Sequence, residues 1–173
     1  MNRNALIIIG LLILVVISGL ILVKMTNTQP MSPSKNLAVP QSYHGNVVQL
    51  TEANTNFRQV IFTGLNSQLV IMSIPSGGEV GEEIHKYTEQ TLFFLSGTGE
   101  GELNGAQFPI VPGDVVVVVP GTDHNFWNTG KVPLQIYTTY APPNHLPGLI
   151  EATKADADAN VADEAIGNTP PTK

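Results

Sequence analysis

Residues 77–97 read Gly77-Gly-Glu-Val-Gly-Glu-Glu83-Ile-His85-Lys-Tyr-Thr-Glu-Gln90-Thr-Leu-Phe-Phe-Leu-Ser-Gly97. Side chains alternate faces along a strand, so Glu83 and His85 project to the same side. With Val80 to Tyr87 running along a barrel wall, a carboxylate and an imidazole point together into the interior. Gln90, past a bend and back on strand, joins them. Outward from this stretch the text is short apolar runs cut by turn signals. Leu69 to Ile74 ends at Pro75-Ser-Gly-Gly78, and Thr91 to Leu95 ends at Gly97-Thr-Gly99. Asn104-Gly105 is the pair that a type I′ hairpin turn prefers. Val115 to Val119 is a run of valines between Gly113-Asp114 and Pro120-Gly121. Being apolar on both parities, it predicts a strand covered on both faces. Leu134 to Tyr140 is the last clear strand. Many short strands at this spacing imply an all-β sandwich or barrel, and nothing between Val47 and Tyr140 reads as helix.

A second segment brings His124 directly after the turn Pro120-Gly-Thr-Asp123. Two distant strands thus converge Glu83, His85, Gln90 and His124, the donors of a mononuclear metal site. Two imidazoles and one carboxylate are the ligand set associated with non-haem Fe(II); Mn(II) and Zn(II) accept the same donors. Gln90 is either a fourth ligand through its carbonyl oxygen or a hydrogen-bond partner. A buried Glu83 carries a desolvation cost that a nearby cation offsets. His44 and His145 read as surface residues. Tyr87, Phe94, Phe126 and Tyr137 read as core or as cavity lining. Gly97-x-Gly-x-Gly101 has no helix N-terminus behind it to hold a phosphate, and no nucleophile-elbow motif is present. No catalytic residue is assigned.

The two segments resemble the paired motifs of the cupin superfamily, small antiparallel jelly-roll barrels. The first motif runs G-x5-H-x-H-x(3,4)-E-x6-G. Gly77, His85 and Gly97 stand in place, with Glu83 at the first histidine and Gln90 at the glutamate. The second runs G-x5-P-x-G-x2-H-x3-N, matched by Gly113, Gly121, His124 and Asn128, with Pro120 one place late. Asn54 to Phe57, Phe62 to Gly64, Tyr137 to Pro143 and Lys154 to Asp156 resemble a subgroup of stand-alone bacterial-type cupins. The resemblance implies a single jelly-roll barrel over residues 47–143 with a divalent metal ion (Fe, Mn or Zn) in it. One imidazole of the usual set is exchanged for Glu83 and the usual carboxylate for the Gln90 amide, so the site keeps one anionic ligand.

The chain has 173 residues, with 8 Lys+Arg against 14 Asp+Glu and a formal charge of -6. That excludes a strongly basic nucleic-acid binder. With no cysteine there is no disulfide framework, thiolate site or cysteine nucleophile. Ala5 to Val23 is an uncharged apolar run that as a helix would span about 28 Å, close to a bilayer's hydrocarbon thickness. It lacks a following small-x-small cleavage site, so residues 1–25 read as an uncleaved transmembrane anchor contacting the lipid bilayer through 5–23. Residues 26–46, with Pro30, Pro33 and Pro40, read as an extended tether. Residues 144–173 form an acidic, alanine-rich tail with one short helix. Asp156-Ala-Asp158 opens like a calcium loop, but Val161 and Gly167 stand where that loop needs glycine and glutamate. The expectation is an all-β jelly roll preceded by one transmembrane helix, a single-pass membrane protein whose metal site acts on or binds a small molecule. As an enzyme it would be of dioxygenase or isomerase type. The alternative is a non-catalytic module that binds a small ligand or sugar, or an interaction domain. A homodimer is compatible with either.

Overall fold

The structure is a computed structural model that describes residues 42–170. A short helix, α1 (Val47–Ala53), precedes β1 (Arg58–Thr63) and β2 (Gln68–Ile74). Then follow β3 (Glu83–Ile84), β4 (Glu89–Ser96), β5 (Gly99–Leu103), β6 (Ala106–Ile110), β7 (Val115–Val118) and β8 (Asp123–Trp127). β9 (Leu134–Ala141), β10 (Ile150–Glu151), α2 (Lys154–Asp158) and α3 (Val161–Gly167) close the sequence. The strands form a six-stranded sheet in the order β10-β1-β2-β9-β4-β7 and a four-stranded sheet in the order β3-β8-β5-β6. Every ladder is antiparallel. The two sheets face each other as a jelly roll, and the expected all-β class holds.

Period-2 alternation builds the core. Leu134, Ile136 and Tyr140 of β9 and Leu92 and Phe94 of β4 turn inward and are buried. Phe126 of β8 meets Phe94 across the gap, ring centroids 5.5 Å apart. The β5–β6 hairpin turns on Asn104 (φ 48) and Gly105 (φ 82), both left-handed as a type I′ turn requires. The glycines around residue 99 serve packing: a Cβ on Gly97 would sit 2.6 Å from the Pro133 carbonyl oxygen, and one on Gly101 2.6 Å from the Phe108 ring.

Four expectations change. The valine run is covered on one face only: Val116 and Val118 are buried, whereas Val115, Val117 and Val119 are each more than half exposed. β7 is the edge strand of its sheet, and nothing among the described residues covers its outer side. Val47–Ala53 is helical, capped by Asn46, whose side chain accepts from the Gln49 N–H at 3.2 Å. The C-terminal region holds two short helices rather than one. Membrane localisation is also corrected. Among the described residues no helix is long and apolar enough to cross a membrane, and the seven-residue α1 and α3 span about 10 Å each. The apolar run of residues 5–23 and the tether up to residue 41 lie outside the described residues.

The one-sided burial of β7 has a measurable signature. Val118→Ala is expected to cost about 2 kcal/mol in urea unfolding, from lost methyl burial and a residual cavity. Val117→Ala, one residue away, is expected to cost under about 0.5 kcal/mol. Equal losses at the two positions would mean that both faces of β7 are covered.

Candidate metal centre

Glu83 and His124 are direct cross-strand partners in the β3–β8 ladder, and His85 follows immediately after β3. The strand here is two residues long rather than the eight expected, yet the three side chains meet. Glu83 Oε2 lies 3.4 Å from His85 Nε2 and 4.0 Å from His124 Nε2. One donor atom from each of the three falls within 4.8 Å of the others, the one such group of three or more His, Cys, Asp or Glu among the described residues. Gln90 is buried on β4; its Nε2 donates to the Tyr140 hydroxyl at 2.9 Å. The Tyr140 ring in turn stands edge-on to His85, centroids 5.6 Å apart.

The donor atoms are unsatisfied. Glu83 Oε2, His85 Nε2, His124 Nε2 and Gln90 Oε1 are all buried and none has a hydrogen-bond partner. An orphaned buried polar atom costs on the order of 1–3 kcal/mol, more when charged. Three of these atoms, on Glu83, His85 and His124, are gathered at one place and point to a bound group that satisfies them. The imidazoles are also oriented for a cation. His124 Nδ1 lies 3.0 Å from the Thr122 carbonyl and donates its proton there, which leaves the lone pair on Nε2. His85 Nδ1 lies 3.4 Å from the Asn144 amide, whose Oδ1 is itself without a partner. A half-turn of that amide lets Oδ1 accept the His85 Nδ1–H and frees Nε2 in the same way.

Arg58, buried at the start of β1, sets the electrostatics. Its Nη2 donates to Glu83 Oε1 and its Nη1 to Glu151 Oε2, both at 3.3 Å; Nη1 also lies 3.7 Å from Asp163 Oδ2. Burial opposes the charge on Arg58, but Glu83 and the other carboxylates outweigh it and raise its pKa further. Burial likewise pushes the Glu83 carboxyl up, while the His85 ring and the Arg58 guanidinium outweigh that and bring it down to about 2. His124 shifts down, chiefly through burial, and so stays neutral and able to ligate. Three carboxylates around one guanidinium leave two negative charges, the number a divalent cation neutralises.

His145 is not at the surface. It is 5% exposed, with Nδ1 2.7 Å from Asp163 Oδ2. His44, in contrast, is exposed as expected. Phe94 and Phe126 are core, and Tyr137 stacks on Phe93 along β4 and β9 (4.8 Å, 10°). A cavity of about 460 Å³ is lined by residues that include Glu83, His85, Arg58, Asn144, His145 and Asp163. Arg58, Asn144 and Asp163 carry no motif signal in the sequence. His145 carries none either, since it reads as a loop residue after Pro142-Pro143.

The Cupin domain family matches residues 70–140. The chain is 38% identical over 126 residues to the uncharacterised protein YrkC of Bacillus subtilis, covering 69% of this chain and 68% of that one. The crystal structure of BH2720 from Bacillus halodurans superposes with a TM-score of 0.68 at 34% identity, over 70% of this chain and 97% of that one. A Klebsiella pneumoniae protein with a double-stranded β-helix domain shares the fold at 22% identity, with a TM-score of 0.52 over 65% of this chain and 100% of its own.

The Glu83 shift fixes a pH dependence. Its folded pKa, about 2, lies below the ordinary 4.5, so its contribution to stability is complete above pH 4.5 and is lost as pH falls toward 2. With a chelator present, the stability gap between wild type and Glu83→Gln is expected to close over that interval in urea titrations. A gap constant from pH 6 to pH 2 would show an unperturbed carboxyl.

Proposed function

The chain belongs to the cupin family, and from that premise we propose that its cavity is a mononuclear divalent-metal site that binds and acts on a small, uncharged polar molecule. The observation that carries this reading is the set of orphaned donor atoms, Glu83 Oε2, His85 Nε2 and His124 Nε2, gathered within one ion's reach. Gln90 Oε1, equally unpaired, is a further donor from β4. When bound, an Fe(II), Mn(II) or Zn(II) ion supplies Lewis acidity toward a carbonyl or hydroxyl oxygen at the positions its protein ligands leave open.

The chain's own residues do the rest. Arg58 holds Glu83 Oε1, which leaves Oε2 facing the imidazoles. The Thr122 carbonyl fixes the His124 ring. The walls select ligand charge. Glu82, Glu83, Asp158, Asp163 and Glu164 line the cavity; Arg58 engages Glu83 and Asp163, and Lys154 pairs with Asp158 at 2.8 Å, which leaves the carboxylates in excess. Even with a divalent ion bound the lining stays negative, so anionic ligands are repelled and neutral hydroxyl or carbonyl compounds are admitted.

Elemental analysis of the purified chain tests the metal. About one divalent ion per chain is expected in the wild type, and its loss in His85→Ala, His124→Ala and Glu83→Ala. Retention in Gln90→Ala would leave that amide as a hydrogen-bond partner, and loss would make it a ligand. Equal metal in wild type and all three triad variants would overturn the site. Metal and ligand-induced stabilisation without turnover would identify a binding module.

A further inference from the structure

His145 and Asp163 face the same cavity and are used by nothing described above. His145 Nδ1 is 2.7 Å from Asp163 Oδ2, and its Nε2 is buried without a partner. Both residues line the cavity with Glu83 and His85. This is the arrangement of a ligand or of a base: one ring nitrogen held by a carboxylate, the other free. His145 lies outside the group of donor atoms that share a site, and no hydrogen bond or ring contact joins it to Glu83, His85 or His124. The ligand role is thereby disfavoured. We propose that His145, oriented by Asp163, is the proton-transfer group of this cavity, and that its substrates are neutral carbonyl compounds with a C–H beside the carbonyl. The inference rests on the metal-and-ligand reading above.

The dyad is built to stay in place. The Gln68 side chain clamps the His145 backbone from both directions: Nε2 donates to the His145 carbonyl at 2.8 Å, and Oε1 accepts the His145 N–H at 3.0 Å. The Tyr140 ring stands edge-on to the imidazole, 4.9 Å between centroids. Asp163 is fixed by accepting the Leu146 N–H at 2.7 Å and by Arg58. The charged and titratable groups around His145 are Asp163 on α3, Arg58 on β1, Glu83 on β3 and Tyr140 on β9. Burial lowers the His145 pKa, the Asp163 hydrogen bond raises it and Arg58 lowers it, with a net shift down. Asp163 is itself shifted down, mainly because His145 outweighs its burial. At neutral pH the ring is uncharged, donates Nδ1–H to an ionised Asp163, and keeps an unpaired lone pair on Nε2.

The step balances without a co-reactant. Nε2 takes the proton from the carbon beside the carbonyl. The C–H pair becomes the C=C bond of an enolate, and the carbonyl π pair moves to oxygen. The imidazolium faces the Asp163 carboxylate through Nδ1–H. Returning the proton reverses the step, and exchange of the Nε2 proton with water while the enolate lasts replaces C–H by C–D in D₂O.

Dihydroxyacetone is the probe, followed by ¹H NMR in D₂O with the full chain loaded with Mn(II) or Zn(II) and its metal content measured on the same sample. Loss of the CH₂ signal is expected in wild type, about a hundredfold slower in His145→Gln and in Asp163→Asn, with metal content unchanged in both. Should His145→Gln misfold, Asp163→Asn carries the comparison. The metal-free wild type should show a downfield Nδ1–H resonance that is absent from Asp163→Asn. Wild type that holds metal yet exchanges at the rate of the variants would overturn the dyad and leave the metal site standing. Wild type without metal would overturn both.

Discussion

One guanidinium ties the working end of this barrel together. Arg58 opens β1, and its two terminal nitrogens reach Glu83 on β3, Glu151 on β10 and Asp163 on α3. A buried charge stripped of its partners costs several kcal/mol, so each of these carboxylates lowers the cost of burying Arg58. The same contacts do the site's preparatory work. Holding Glu83 by one oxygen aims the other at His85 and His124, and holding Asp163 steadies the carboxylate against His145. Asn160 at the start of α3 reinforces the arrangement by donating to the remaining Glu151 oxygen at 2.9 Å.

Tyr140 is the packing partner that His85 and His145 share. Its hydroxyl accepts from Gln90, and its ring stands edge-on to His85 on one side and His145 on the other. Burial drives its pKa upward, so it remains a neutral phenol and adds no charge to an already acidic site. Both imidazoles therefore sit against an apolar ring body, which keeps water from the atoms they offer to the cavity.

What the sequence made legible follows from range. Glu83 and His85 were readable because a strand repeats every two residues, and His124 because a glycine-bounded turn delivers it. The type I′ turn at Asn104-Gly105 was readable because its chemistry is local. Arg58 and Glu151 are 93 positions apart, and His145 and Asp163 are 18 apart with no periodic relation. A histidine after a proline pair looks like a loop residue until α3 is folded over it. The valine run failed for a similar reason: whether its second face is covered depends on which distant segments pack over β7, and composition does not encode that. Helix α1 was missed because seven residues hold too few turns for a hydrophobic period to stand out.

The half-open valine strand also shapes how this chain behaves in company. Residues 115–118 pair with β4 along one side only and leave a row of backbone groups available on the other. Such a short, uncharged, β-branched segment is a template onto which another chain can add in cross-β fashion. Pro112 and Asp114 before it and Pro120 after it act as gatekeepers, since a missing N–H and a carboxylate both interrupt propagation of a ladder. The positions that guard this edge are thus distinct from the residues of the metal centre, and selection on folding yield can hold them independently of anything the barrel binds.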